Sequence, residues 1–160
     1  GMIDSTSMAP ILCAVDFSAD SRAALLWASA QAKLTGAPLI ILHVVHDPAA
    51  SPGFYRQLPE DQLRPMEKIA EEMMDEFLTE VRTENPEQDR LASARVQLVS
   101  GLPPGRIVEA AETLGVSLIV VGSRGRTGLP HVLLGSVAER VVQIAQGPVA
   151  VIKAQPAKVD

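Results

Sequence analysis

Gly122-Ser123-Arg124-Gly125 is followed, nine residues later, by Gly135-Ser136. The first group ends an apolar run, Ser117 to Val121, and the second opens a helical pattern, Val137 to Val142. Glycines at a strand's carboxyl end are expected to let the chain turn at positive φ. They also let main-chain amides approach a ligand with no Cβ between. Gly135-Ser136 at a helix start adds unpaired N–H groups, the positive end of the helix dipole and a hydroxyl. Both ends of one long loop are therefore expected to form a cradle for phosphate. Arg124 and Arg126 either pair with phosphate oxygens or are solvated loop residues. Asp16, at the end of the first apolar run, could order a ribose or hold a metal ion through water.

Other residues carry less. His43 and His46 are placed on opposite faces of a strand, which disfavours a shared metal. Met66, Met73 and Met74 are expected to pack in the core, as is Cys13, the one cysteine. There is no G-x-x-x-x-G-K-[ST] loop, no G-x-G-x-x-G, no G-x-S-x-G, no H-E-x-x-H and no C-x-x-C. Binding, with slow or no hydrolysis, is the expected chemistry.

The elements that must position this loop follow from hydropathy. Ile11–Val15, Pro38–Val45, Ala94–Val99, Leu118–Val121 and Val149–Lys153 read as strands. Helices are expected after Ser18 and ending at Gly36, from Met66 to about Arg82, from Pro104 to Leu114, and from Ser136 to Ala145. Ala23, Leu26, Trp27, Ala30 and Leu34 mark the inner face of the first helix. Ile69, Met73, Phe77 and Val81 mark that of the second. This alternation predicts an α/β fold, an open parallel five-stranded sheet with helices on both faces. A ligand then sits at the carboxyl ends of the strands, where the strand order reverses. Asp47 to Pro65 is too rich in proline for an ordered element and reads as an irregular loop: a lid in which Phe54 and Tyr55 could cover a base, a partner-binding loop, or plain disorder. Thr83 to Ser93 reads as an exposed connection.

The 160 residues fit one domain, with residues 1–9 a disordered or tag-derived start. A formal net charge of −5 argues against nucleic acid and anionic membranes as partners. No membrane span or signal peptide is expected, and the location is expected to be cytoplasmic.

Val15-Asp16-Phe17-Ser18, His43-Val44 and Gly122-x2-Gly125-x9-Gly135-Ser136 together resemble the universal stress protein family, and within it the ATP-binding branch. The resemblance runs from Ile11 to about Lys153. It implies strand order 3-2-1-4-5, with a nucleotide across strands one and four. It implies that Asp16, reached through Ala14 and Val15, lies beside the nucleoside and that the Val44 backbone meets the adenine. Gly122 and Gly125, with Ser123 and Arg124 between them, would line ribose and phosphates; Gly135, Ser136 and Val137 would hold the phosphates. The expected cofactor is ATP or another adenine nucleotide with Mg²⁺ or Mn²⁺. The expected role is stress-response regulation read by an unknown protein partner. Two other readings stand beside it: a dimeric interaction scaffold with an unused site, and an adenylyl- or phosphoryl-transfer enzyme. A homodimer through the edge strand 148–153 is expected, because that strand is apolar until Lys153.

Overall fold

The computed structural model describes residues 8–46, 60–125 and 134–155. Five strands form one parallel sheet: β1 (Ile11–Ala14), β2 (Leu39–His46), β3 (Arg95–Gly101), β4 (Leu118–Gly122) and β5 (Val149–Ile152). Their spatial order is β3-β2-β1-β4-β5. Ile11 pairs with Leu39 on one side and Leu118 on the other, so β1 lies at the point where the order reverses.

Alternation along the strands splits the core in two. Ile11, Cys13, Ile41 and Val120 face α1 (Ala19–Thr35), α2 (Glu60–Glu84) and α3 (Asp89–Ser93). Leu12, Ile40, Leu42, Ile119 and Val121 face α4 (Pro103–Leu114) and α5 (Ser136–Ile144). Strands buried on both faces explain the near-continuous apolar runs. Burial also pushes the Cys13 thiol well up, so it stays neutral in the core.

The structure departs from the sequence-based expectation in four places. In α1 the buried face is Ala24, Leu25, Ala28 and Ala32, while Leu34 is exposed. Small residues let this helix lie close to the sheet, and the larger side chains flank it. In α2 Val81 is buried as expected, but the residues buried with it are Ala70, Met74 and Leu78, and Ile69 is exposed. This helix also begins at Glu60 and contains Pro65, so residues 60–65 are helical where an irregular loop was expected. Residues 83–93 are not a bare connection: the chain forms α3 there, with Leu91 fully buried. Phe54 and Tyr55, with the rest of 47–59, lie outside the described residues, as does Arg126.

Candidate functional site

At the carboxyl ends of β1, β2 and β4 lies a cavity of about 480 Å³. Its floor is the end of β1. Val15 donates its main-chain N–H to the Leu42 carbonyl oxygen at 2.8 Å, and the chain then turns into α1 through Asp16 and Phe17. Phe17 adopts φ 67°, which is costly for a residue with a Cβ. Its ring is held 4.4 Å from that of His43 and 5.6 Å from that of Phe77, centre to centre. The Nδ1–H of His43 donates to the Val15 carbonyl oxygen at 2.7 Å, which ties β2 to the same corner.

Asp16 uses one carboxylate oxygen locally. Oδ1 accepts from the main-chain N–H of Ser18 at 3.0 Å and from the Ser18 hydroxyl. Ser18 in turn caps α1, its Oγ accepting from the Ser21 N–H at 3.1 Å. Oδ2 of Asp16 has no hydrogen-bond partner among the described residues and lies 3.4 Å from where a Cβ on Gly125 would stand.

The glycines serve close approach and not unusual dihedral angles. The expected positive φ is absent at Gly122, Gly125 and Gly135. A Cβ on Gly122 would stand 2.7 Å from the main-chain nitrogen of Ser21, so this glycine seats the first turn of α1 on β4. A Cβ on Gly135 would stand 3.0 Å from the Ser123 oxygen and 3.5 Å from the Gly125 nitrogen. The Gly135 N–H donates to the Ser123 carbonyl oxygen at 2.6 Å, closing the base of the loop. The start of α5 is thereby fixed against Ser123–Gly125. The first main-chain hydrogen bond of this helix runs from Glu139 N–H to Gly135 O at 2.9 Å, so the N–H groups of Ser136, Val137 and Ala138 have no acceptor within it.

Ala14, Val15, Asp16, Val44, Gly122, Ser123, Arg124, Gly125, Gly135, Ser136 and Val137 all border this one cavity. The position of Arg124 alters its expected role. Its guanidinium pairs with Asp20 through Nε to Oδ2 at 2.9 Å and Nη2 to Oδ1 at 3.1 Å. It is thus a partly exposed, ion-paired side chain at the edge of the cavity and not a free loop arginine. Asp20, which looks in the sequence like a first-turn helix acid, is buried. The hydrogen bonds from Arg124 hold its carboxyl below the usual carboxylate range. The Ala154 and Arg124 main-chain N–H groups add to this, against the opposing effect of burial.

Met66 and Met73, expected in the core, border the cavity together with Ala70, Pro103 and Ile107; Met74 alone of the three is buried. The helical spacing of these methionines carried no sign of a cavity wall, because the rotation of α2 about its axis decides it. His43 and His46 both border the cavity. Among the described residues, no group of three or more His, Cys, Asp or Glu is arranged to hold a metal ion.

The sequence profile of the universal stress protein family matches residues 8–153. Universal stress protein YxiE of Bacillus subtilis is 34% identical over 152 residues, covering 89% of this chain and 97% of that one. Universal stress protein MJ0577 of Methanocaldococcus jannaschii is 30% identical over 154 residues, covering 89% and 93%. The solved structure of MJ0577 superposes with a TM-score of 0.66 over 93% of this chain and 98% of that one, at 28% identity. A universal stress protein from Archaeoglobus fulgidus, solved in complex with dAMP, gives a TM-score of 0.56 at 25% identity, over 92% and 99%. The chain spans about half the length of the mycobacterial relatives it matches, 48% for Rv2005c of Mycobacterium tuberculosis. Among the described residues no helix is long and apolar enough to cross a membrane. With the sheet order, the cavity and the profile in agreement, the chain belongs to the universal stress protein family.

Proposed function

We propose that this chain binds an adenine nucleotide, ATP in the first instance, in the cavity at the ends of β1 and β4, and that it acts as a regulator read by a protein partner. One observation carries the reading: Ser123–Gly125 and the amino end of α5 are locked together by the Gly135–Ser123 hydrogen bond at the rim of the cavity. The Ser123 and Arg124 N–H groups are already donated to Ile152 O and to Asp20. The Gly125 N–H from this limb and those of Ser136, Val137 and Ala138 from the other are therefore the ones that can converge on one phosphate group. About three such charge-assisted bonds, at ~1.5–3 kcal/mol each before association costs, are consistent with micromolar affinity. The dAMP complex of the Archaeoglobus relative supports an adenine nucleotide as the ligand class. Asp16 is the carboxylate bordering the cavity among the described residues, and its unengaged Oδ2 suits a ribose hydroxyl or a metal-bound water.

Since Arg124 is committed to Asp20, the roughly four negative charges of a triphosphate need another counterion, and a divalent cation fits that need. The ion would sit on the phosphates, with Asp16 reaching it through water, because no group of protein ligands is built for it among the described residues. Titration calorimetry with ATP should give heat and a raised Tm, both larger with Mg²⁺ or Mn²⁺. Absence of both signals under either condition would sink the reading. We further propose that the chain is a homodimer joined along β5, where four uncharged aliphatic residues form one border of the sheet.

A further inference from the structure

Asp20 lies in the first turn of α1 and is only 3% exposed, yet it does not border the cavity. Its carboxylate receives four N–H donors. Oδ2 accepts the main-chain N–H of Arg124 at 2.9 Å and the Arg124 Nε at 2.9 Å. Oδ1 accepts Arg124 Nη2 at 3.1 Å and the main-chain N–H of Ala154 at 2.8 Å. A carboxylate accepts about four hydrogen bonds in all, so none of its capacity is left over.

Two of the donors are backbone groups of separate segments. Arg124 stands between the two glycines of the cradle's first limb, and Ala154 follows the end of β5. Ala154 does not border the cavity either. The carboxylate cannot drift to accommodate one donor without the other. A Cβ on Gly122 would stand 2.8 Å from the Asp20 carbonyl carbon, so this turn of α1 is seated directly on β4. The last ladder bond between β4 and β5 runs from Ser123 N–H to Ile152 O at 2.8 Å, and Asp20 carries the connection one step beyond it. A shift of the Arg124 main chain must therefore move Ala154 or break a charge-assisted bond.

We infer that Asp20 is a positioning residue for the cradle and the joint through which occupancy of the cavity is felt at the end of β5. The inference rests on reading the cavity as a nucleotide site. Asp20 acts through Arg124 and Ala154 and touches no ligand. By linkage the coupling runs both ways: whatever engages the end of β5 tightens or loosens the cradle by the same factor.

Amide exchange by NMR on the full chain tests this, with and without ATP and Mg²⁺. In the wild type, saturating ATP is expected to slow exchange at Ala154. In ligand-free Asp20→Asn, exchange at Arg124 and Ala154 should accelerate together and by more than at Ile41 in the core, which reports only the global loss of stability, and the response of Ala154 to ATP should vanish. ATP affinity should fall about tenfold in Asp20→Asn and in Arg124→Gln, and no further in the double variant. A purely structural ion pair would leave Ala154 indifferent to ATP in the wild type, and that result overturns the inference without any variant. Additive affinity losses would overturn it too. Should the wild type bind no adenine nucleotide, the functional reading fails separately. The ligand-free comparison then still decides, because independent exchange at Arg124 and Ala154 would mean there is no joint.

Discussion

Gly135 has φ −74° and ψ 163°, angles open to any residue, so its lack of a side chain answers to space alone. From the sequence, a side chain here is expected to project toward the phosphate. In the structure a Cβ would instead meet Ser123 and Arg124, the opposite limb of the cradle. Gly135→Val is therefore expected to spread the two limbs and abolish nucleotide binding, with circular dichroism showing the fold retained. Ser136→Ala removes one hydroxyl and should cost about 0.5–1.5 kcal/mol of binding. Equal, negligible losses in calorimetry would place the ligand elsewhere. Asp20 makes a prediction in pH. Its folded-state carboxyl titrates below the unfolded value of about 3.9, chiefly because of the Arg124 hydrogen bonds. Its contribution is then fully present above that value and lost as pH falls through the folded pKa. Urea denaturation should show wild type more stable than Asp20→Asn at pH 7, with the gap closing below about pH 4. A gap that is constant down to pH 2.5 would contradict it. Nothing in the residue pattern marks this role: an aspartate two residues after a capping serine serves a helix dipole equally well, and only the meeting of α1, β4 and β5 reveals the partner.

At the scale of elements, strands were easier to read than helix faces. A strand covered on both sides needs apolar residues throughout, so Ile11–Ala14 and Leu118–Val121 admit few alternatives. Helices α1 and α2 carry two overlapping stripes each. In α1 both Ala23-Leu26-Trp27 and Ala24-Leu25-Ala28 satisfy the helical period, and the second is buried because its alanines allow close approach to the sheet. The same ambiguity hid Met66 and Met73 as cavity wall. The short helix α3 was missed for another reason. Five residues are too few for a periodic signal, and Asp89, Arg90 and Ser93 surround the single leucine. Its place is fixed by tertiary contacts: Arg82 Nε–H donates to the Leu91 carbonyl oxygen at 2.9 Å, and Ser29 Oγ–H to Gln88 Oε1 at 2.9 Å. Leu91→Ala is expected to destabilise the fold by about 2–5 kcal/mol, as for other fully buried leucines. A loss under about 0.5 kcal/mol in urea denaturation would show that α3 is not part of the core.

For the whole molecule, the parallel-sheet rule that ligands gather at strand carboxyl ends was enough to bring the loop after β4 to the end of β1 before any geometry was known. Assembly depends on the outer strands, and these differ. β3 starts with an exposed arginine, whereas β5 is Val149-Ala150-Val151-Ile152. Ile119 N–H donates to Pro148 O at 3.1 Å and Ser123 N–H to Ile152 O at 2.8 Å. Main-chain groups alternate sides along a paired strand, so those of 148, 150 and 152 face β4, and those of Val149 and Val151 face outward. An outward row of this kind invites a second copy, and a twofold axis beside it would pair the two β5 strands antiparallel. Pro156 and the residues after it lie outside the described residues. The alternation makes the test selective. Val151→Pro removes an outward N–H and spares the ladder to β4, so the chain should fold with unchanged circular dichroism yet lose the dimer, as monomer or as aggregate. Ala150→Pro removes an N–H that faces β4 and should instead lower Tm. Light scattering that gives wild type the mass of one chain across working concentrations would count decisively against the dimer.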